Sequence, residues 1–205
     1  MYTIVFVKKE EIRGSQKKEK YRILEQLHSK WEGSIIITEA YIELLAILVE
    51  YYYGSGFYDK GNEYVKLLQA IIDKWGTYNE DIAICYANAL GRIIPLQYEA
   101  GSKAQGMINI AVLNDLLNNW ENENFALYFI VVQGDMAIAQ SGMNEQKECE
   151  QTLIILCETV KRWGATSERI AWRAIDTMTK VFIRLNNKIQ ERTRMDLIKT
   201  LEGLV

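Results

Sequence analysis

Apolar positions along the chain fall three and four residues apart, the spacing of one face of an α-helix, and the segments they mark return at a longer interval. Trp31, Trp75, Trp120 and Trp163 are separated by 44, 45 and 43 residues. Each closes the same kind of stretch: EKYRILEQLHSKW, EYVKLLQAIIDKW, MINIAVLNDLLNNW and EQTLIILCETVKRW. An aliphatic residue stands seven or eight positions before each tryptophan and again three or four before it. Three of the four tryptophans follow Lys or Arg, a charge that suits the C-terminal end of a helix dipole. Self-similarity at such a period is the mark of a repeat architecture.

A second helix is predicted after each tryptophan. Aligning Ile37, Ile82 and Ile170 brings Tyr41, Tyr86 and Ala174 into one column, then Leu45, Leu90 and Met178, then Leu48, Ile93 and Val181. In the third unit Phe125, Phe129 and Met136 are expected to fill most of these columns, with the register open by about two residues. Ala40, Ala83, Ala89, Ala126 and Ala171 stand beside the large residues and are expected to let neighbouring helices approach. Gly14, Gly56, Gly101 and Gly142 lie 17, 19, 19 and 21 residues before their tryptophans and mark the turns, since glycine supplies the left-handed conformation that ends a helix. Asn186 and Asn187 take that place in the last unit.

The resulting map has a short N-terminal element and charged linker over 1–16, then a single helical-repeat domain over 17–205. Within it, the second helix of a truncated opening unit covers 17–31. Helical hairpins follow over 34–75, 78–120 and 122–163, and a last one over 166–204. Thr3 to Val7 is read as either a strand or a helix, because Ile-Val-Phe-Val favours strands. No hairpin of this kind buries its apolar face alone. The expected fold is therefore an all-α stack of about nine helices with a continuous core.

The turn Gly56-Phe57-Tyr58-Asp59-Lys60-Gly61 and the segment IAICYANAL (82–90) resemble the turn and first helix of tetratricopeptide repeats. The period is longer than that family's usual 34 residues and falls in the range of HEAT and armadillo repeats. Its tryptophan also stands in the first helix, whereas these close the second. The resemblance implies a right-handed α-solenoid of antiparallel hairpins that holds a protein or peptide, with the first helices lining the concave face. It implies no catalytic residue. On that face Glu43, Asn88 and Asp176 align, with Arg92 and Lys180 one turn later and Asp135 beside them. Tyr52 and Tyr58, from the cluster Tyr51-Tyr52-Tyr53 and Phe57-Tyr58, are the candidate aromatic anchors. The competing reading of that cluster is a cap on the end of the stack.

Composition narrows the rest. The chain has 205 residues and 49% hydrophobic content, enough for a large core. One proline suits long helices. The net charge of −3 offers no general basis for nucleic-acid binding, although Arg162, Arg169, Arg173 and Arg184 bias the fourth unit toward basic. Cys85, Cys149 and Cys157 form no CxxC pair and read as reduced core residues of a cytoplasmic protein. No apolar run approaches the roughly 20 residues that span a bilayer.

Chemistry-bearing patterns are weak. His28 is the single histidine and has no ligand-spaced partner for a metal site or a triad. Gly54-Ser55-Gly56 lies between helices, not after a strand, so it lacks the setting of a phosphate loop. Glu121, Glu123 and Asp115 lack the ligand order of a calcium loop. No metal or cofactor is therefore expected. The leading expectation is a non-enzymatic module that binds a protein partner. The alternatives are self-assembly through the ends of the stack and a ligand pocket near Cys85 and Tyr86.

Overall fold

The computed structural model describes residues 15–204 apart from 32, 76, 77 and 186, with side chains from Tyr21 onward except at 24. The expected N-terminal element, including the choice between strand and helix at 3–7, lies outside the described residues, as do Gly14 and Asn186. Among the described residues there are nine α-helices and no strand: α1 (Ser15–Lys30), α2 (Ile35–Gly54), α3 (Tyr58–Trp75), α4 (Glu80–Glu99), α5 (Lys103–Trp120), α6 (Glu123–Gly142), α7 (Gln146–Trp163), α8 (Glu168–Leu185) and α9 (Glu191–Glu202).

Local chemistry explains where the helices begin and end. The Asn79 side chain accepts the N–H of Ile82 at 2.9 Å and so caps α4; Asn122 accepts the N–H of Asn124 at 2.8 Å at the start of α6. Three helix ends share one turn. The N–H groups of Phe57, Ser102 and Glu145 reach back to the carbonyls of Tyr52, Gln97 and Gln140, at 2.8, 2.9 and 2.9 Å. The left-handed residue in those turns is Gly56 (φ 79°), Gly101 (φ 78°) and Asn144 (φ 61°). The third turn thus departs from the expectation built on Gly142, which is still helical. Asparagine tolerates the left-handed region that most side chains avoid. Pro95 sits inside α4, where its ring takes away one backbone hydrogen bond.

The even-numbered helices pack in chain order, α2 on α4, α4 on α6 and α6 on α8. Each of α2, α4 and α6 also packs on the odd-numbered helix that follows it. Among the described residues no close backbone approach joins α3 to α5 or α5 to α7, whereas α7 and α9 do meet. The core runs through the whole length, with Leu45, Tyr86, Phe125, Ile170 and Leu197 among its buried members. α6 touches α4, α5, α7 and α8, which accounts for a sequence apolar on nearly every side.

A column of small residues sets the spacing. Ala46, Gly91 and Gly134 occupy equivalent positions of α2, α4 and α6. A β-carbon on Gly91 would stand 3.7 Å from the Val132 side chain, and one on Gly134 would collide with Thr177 of α8. Of the alanines expected to serve this purpose, Ala83, Ala89 and Ala126 are buried, but Ala40 is exposed. The third unit's register also resolves: Phe125, Phe129 and Met136 do fill the expected columns, and the buried Gln133 takes the place of Leu45, Leu90 and Met178.

A second pairing recurs between an even-numbered helix and the odd-numbered helix that follows it. Tyr53 packs on Gly61 and Tyr98 on Gly106, and the corresponding positions of α6 and α7 hold Ser141 and Cys149, both buried. A β-carbon on Gly61 would lie 2.5 Å from the Tyr53 ring. Gly61→Ala is therefore expected to destabilise the fold by about 1–3 kcal/mol in urea unfolding, because a buried ring cannot yield cheaply. Gly54→Ala, which meets nothing within 4 Å, is expected to be neutral or stabilising by up to about 0.5 kcal/mol.

Candidate functional site

Each even-numbered helix leaves one stripe open to solvent. In α2 it runs through Ile36, Ala40, Glu43, Ile47 and Glu50; in α4 through Asp81, Cys85, Asn88, Arg92 and Pro95; in α6 through Asn124, Tyr128, Val131, Asp135 and Ile138. In α8 the equivalents are Arg169, Arg173, Asp176, Lys180 and Ile183. Five of the residues singled out in the sequence, Glu43, Asn88, Arg92, Asp176 and Lys180, therefore stand on one face of the row.

Two of them are bound to each other. The Arg92 guanidinium donates from Nη1 to both carboxylate oxygens of Glu43 at 2.7 Å, and from Nε to Glu50. Burial opposes its charge, but the hydrogen bonds it donates to Glu50 and Glu43 outweigh that and raise its pKa. Arg92 thus rivets α4 to α2. Asp176 and Lys180 pair one turn apart within α8 at 2.7 Å, and Arg173 approaches the same carboxylate at 3.6 Å. Farther down the row Arg169 of α8 donates to Asn124 of α6 at 2.8 Å. Asp135 keeps an open side chain, yet loss of water between neighbouring helices pushes its carboxyl above the usual range; Lys180 pulls it down and Glu99 adds to the rise.

Charge is graded along the row. α2 carries three carboxylates and no cation, α4 three and one, α6 two and none, and α8 two carboxylates against four cations. The basic bias read in the fourth unit lies on this face for Arg169 and Arg173, whereas Arg162 closes α7.

The aromatic cluster divides. Tyr53 is buried, and its hydroxyl donates to Asn62. Tyr52 is half-buried and stacks on Tyr64 of α3 at 5.5 Å, and the Lys60 ammonium lies over the same Tyr52 ring at 5.4 Å. Tyr51, Phe57 and Tyr58 are exposed, so Tyr58 remains open at the α2–α3 turn while Tyr52 serves mainly as packing. A chain of rings continues from Tyr64 to Tyr21 and from Tyr21 to Tyr41, and His28 stacks on Tyr41 at 4.6 Å. The single histidine has a packing role there. Of the repeating tryptophans, Trp75, Trp120 and Trp163 pack against the core while Trp31 is exposed, and Lys30, Lys74 and Arg162 each lie over the ring of the tryptophan that follows.

The two residues expected to mark a ligand pocket, Cys85 and Tyr86, differ in exposure. Tyr86 is fully buried and donates its hydroxyl to Gln69 at 2.9 Å. Cys85 is half-exposed on the stripe, and burial, with help from Glu39, Glu43 and Asp81, pushes its thiol up to about 11. Sequence reasoning missed Glu50, the third member of the Arg92 cluster, and Trp172, an exposed tryptophan outside the repeat. Among the described residues no group of three or more His, Cys, Asp or Glu could hold a metal ion, and no helix is long and apolar enough to cross a membrane. Comparison with protein-family models, with curated proteins and with solved structures gave no match.

Two measurements follow from this geometry. In a double-mutant cycle, Arg92→Met and Glu50→Gln are expected to couple by about 1 kcal/mol, discounted for the partial exposure of both groups, and 1 M salt should shrink the coupling. A raised thiol pKa means that Cys85 stays neutral through pH 8. Its alkylation, followed by mass spectrometry, is expected to be slower than that of free cysteine on the order of a hundredfold, rising as the pH nears about 11.

Proposed function

We propose that the chain is a non-enzymatic interaction module, a tetratricopeptide-like α-solenoid that holds a protein or peptide partner along the open stripe of its even-numbered helices. The observation that carries this reading is the recurrence of one chemically graded stripe, exposed or half-exposed, at equivalent positions of four successive even-numbered helices. Curvature supports it. The even-numbered helices pack closely while α3, α5 and α7 stay apart, and a stack of hairpins with one tighter layer bends toward that layer. The stripe would then line the inside of the curve, where a partner meets all four helices at once. Glu43, Asn88, Arg92, Asp176 and Lys180 are the polar contacts of this face, with Tyr58 and the half-buried Tyr52 as aromatic contacts beside the α2–α3 turn. The Arg92 cluster makes the acidic end rigid, which lowers the ordering cost of binding. In this reading the protein works in the cytoplasm with its three thiols reduced.

Affinity capture of the tagged chain from its native cells, with Glu43→Lys/Arg92→Glu alongside, tests the proposal. The double reversal keeps an ion pair between the two positions but sets the new carboxylate at 92 against Glu50, so the loss counts only where circular dichroism and the melting temperature match the parent. A specific partner recovered by the parent and lost by the variant is expected. Recovery of the same partner by both rejects this face, and a chain that captures only itself turns the reading to self-assembly.

A further inference from the structure

The row of even-numbered helices ends on a face that is covered everywhere else in the fold. The contacts of Gly91 with Val132 and of Gly134 with Thr177 and Val181 identify the side of each helix that meets the next one. On that side α2 buries Ile42, Ala46 and Val49, α4 buries Ala87 and Ile94, and α6 buries Leu127, Ile130 and Ala137. The corresponding residues of α8 are Trp172, Ile175, Thr179 and Phe182. Trp172 is 64% and Ile175 37% exposed, against 6% and 0% for Leu127 and Ile130. Thr179 is exposed, Phe182 half-buried, and Ile183, one turn beyond Thr179, is 73% exposed. Among the described residues no further helix of the row covers them.

Spacing and charge say what would fit. Positions 172, 175, 179 and 182 fall three and four apart, the pattern that receives a helix at each earlier interface. Their rim is basic. Arg173 lies over the Trp172 ring at 5.6 Å, Arg169 and Lys180 are well exposed, and Arg184 is exposed as well. Asp176 is already engaged by Arg173 and Lys180. α8 is the one even-numbered helix on which cations outnumber carboxylates. A second copy presenting its own α8 would set cations against cations.

We infer that this face of α8 docks an acidic amphipathic helix of a partner protein, laid down as a fifth helix of the row. Its aliphatic stripe would cover Trp172, Ile175 and Ile183, and its flanking carboxylates would meet Arg169, Arg173, Lys180 and Arg184. The inference rests on the binding-module reading but concerns a different face from the open stripe's acidic end.

The test uses the full chain and two synthetic helical peptides of about 18 residues, long enough to form helix, with one leucine stripe and either Glu or Lys on its flanks. By fluorescence anisotropy in low salt, the Glu peptide is expected to bind at least about tenfold more tightly than the Lys peptide. Lys180→Glu/Arg184→Glu, exposed substitutions that spare the core, should weaken it by about tenfold or more. Ile175→Glu should do the same, whereas Ile154→Glu, a change at a more exposed isoleucine of α7, should leave it within about twofold. Equal binding of both peptides, binding of neither, or indifference to the α8 variants overturns the inference. Self-association by light scattering that Ile175→Glu abolishes also overturns it, in favour of a second copy as the occupant. If the peptides fail while the Glu43→Lys/Arg92→Glu variant still loses its captured partner, the α8 inference falls and the binding-module reading stands.

Discussion

Close approach between successive even-numbered helices is the condition on which the other features depend. At Gly134 the side chain of Thr177 occupies the space a β-carbon would need, and at Gly91 the side chain of Val132 lies in contact range. Backbones that near leave little room for water, so the surrounding columns close over Leu45, Leu90, Phe125, Met136 and Ile170. Each buried aliphatic or aromatic side chain of this kind contributes roughly 1.5–3 kcal/mol relative to exposure. The same proximity carries Arg92 within reach of two carboxylates on the neighbouring helix. A row spaced wider would lose both the core and the cross-helix ion pair.

That ion pair shows how stability and recognition share one surface. Arg92 is half-buried, and its charge is tolerated because Glu43 and Glu50 supply three hydrogen bonds. It is consequently less available to a partner than its place on the open stripe suggests. Lys180, at the equivalent position of α8, pairs with Asp176 of its own helix and stays well exposed. The two ends of the stripe therefore differ in kind: one is acidic and internally tied, the other basic and open.

Much of the fold was legible because it repeats. The helix ends agree with the tryptophans and with Gly56 and Gly101, since one turn chemistry recurs. The third turn was misplaced because Asn144, not Gly142, adopts the left-handed conformation, and one asparagine stands out less than a glycine. The third unit's register was blurred by Gln133, a polar residue in an apolar column. At the site, the shared stripe of Glu43, Asn88, Arg92, Asp176 and Lys180 followed from periodicity. The partners of Arg92 did not, because they lie 42 and 49 residues away and nothing local pairs them. Nor did the exposure of Ile175, whose column reads Ile42, Ala87, Ile130 and Ile175. Those four residues look alike in sequence, and only the packing shows that the last of them meets no following helix.

The hairpin pairing has a consequence for how such a chain can change. Tyr53 with Gly61 and Tyr98 with Gly106 set a large ring against no side chain, whereas α6 and α7 hold the smaller Ser141 and Cys149 at the corresponding positions. The units are periodic in backbone but not interchangeable in filling. Grafting α3 beneath α6 would join Gly61 to Ser141 and leave a void, while grafting α7 beneath α2 would force Cys149 into the Tyr53 ring. An exchange would therefore have to move an even-numbered helix together with the odd-numbered helix packed on it, because the two are filled to fit each other.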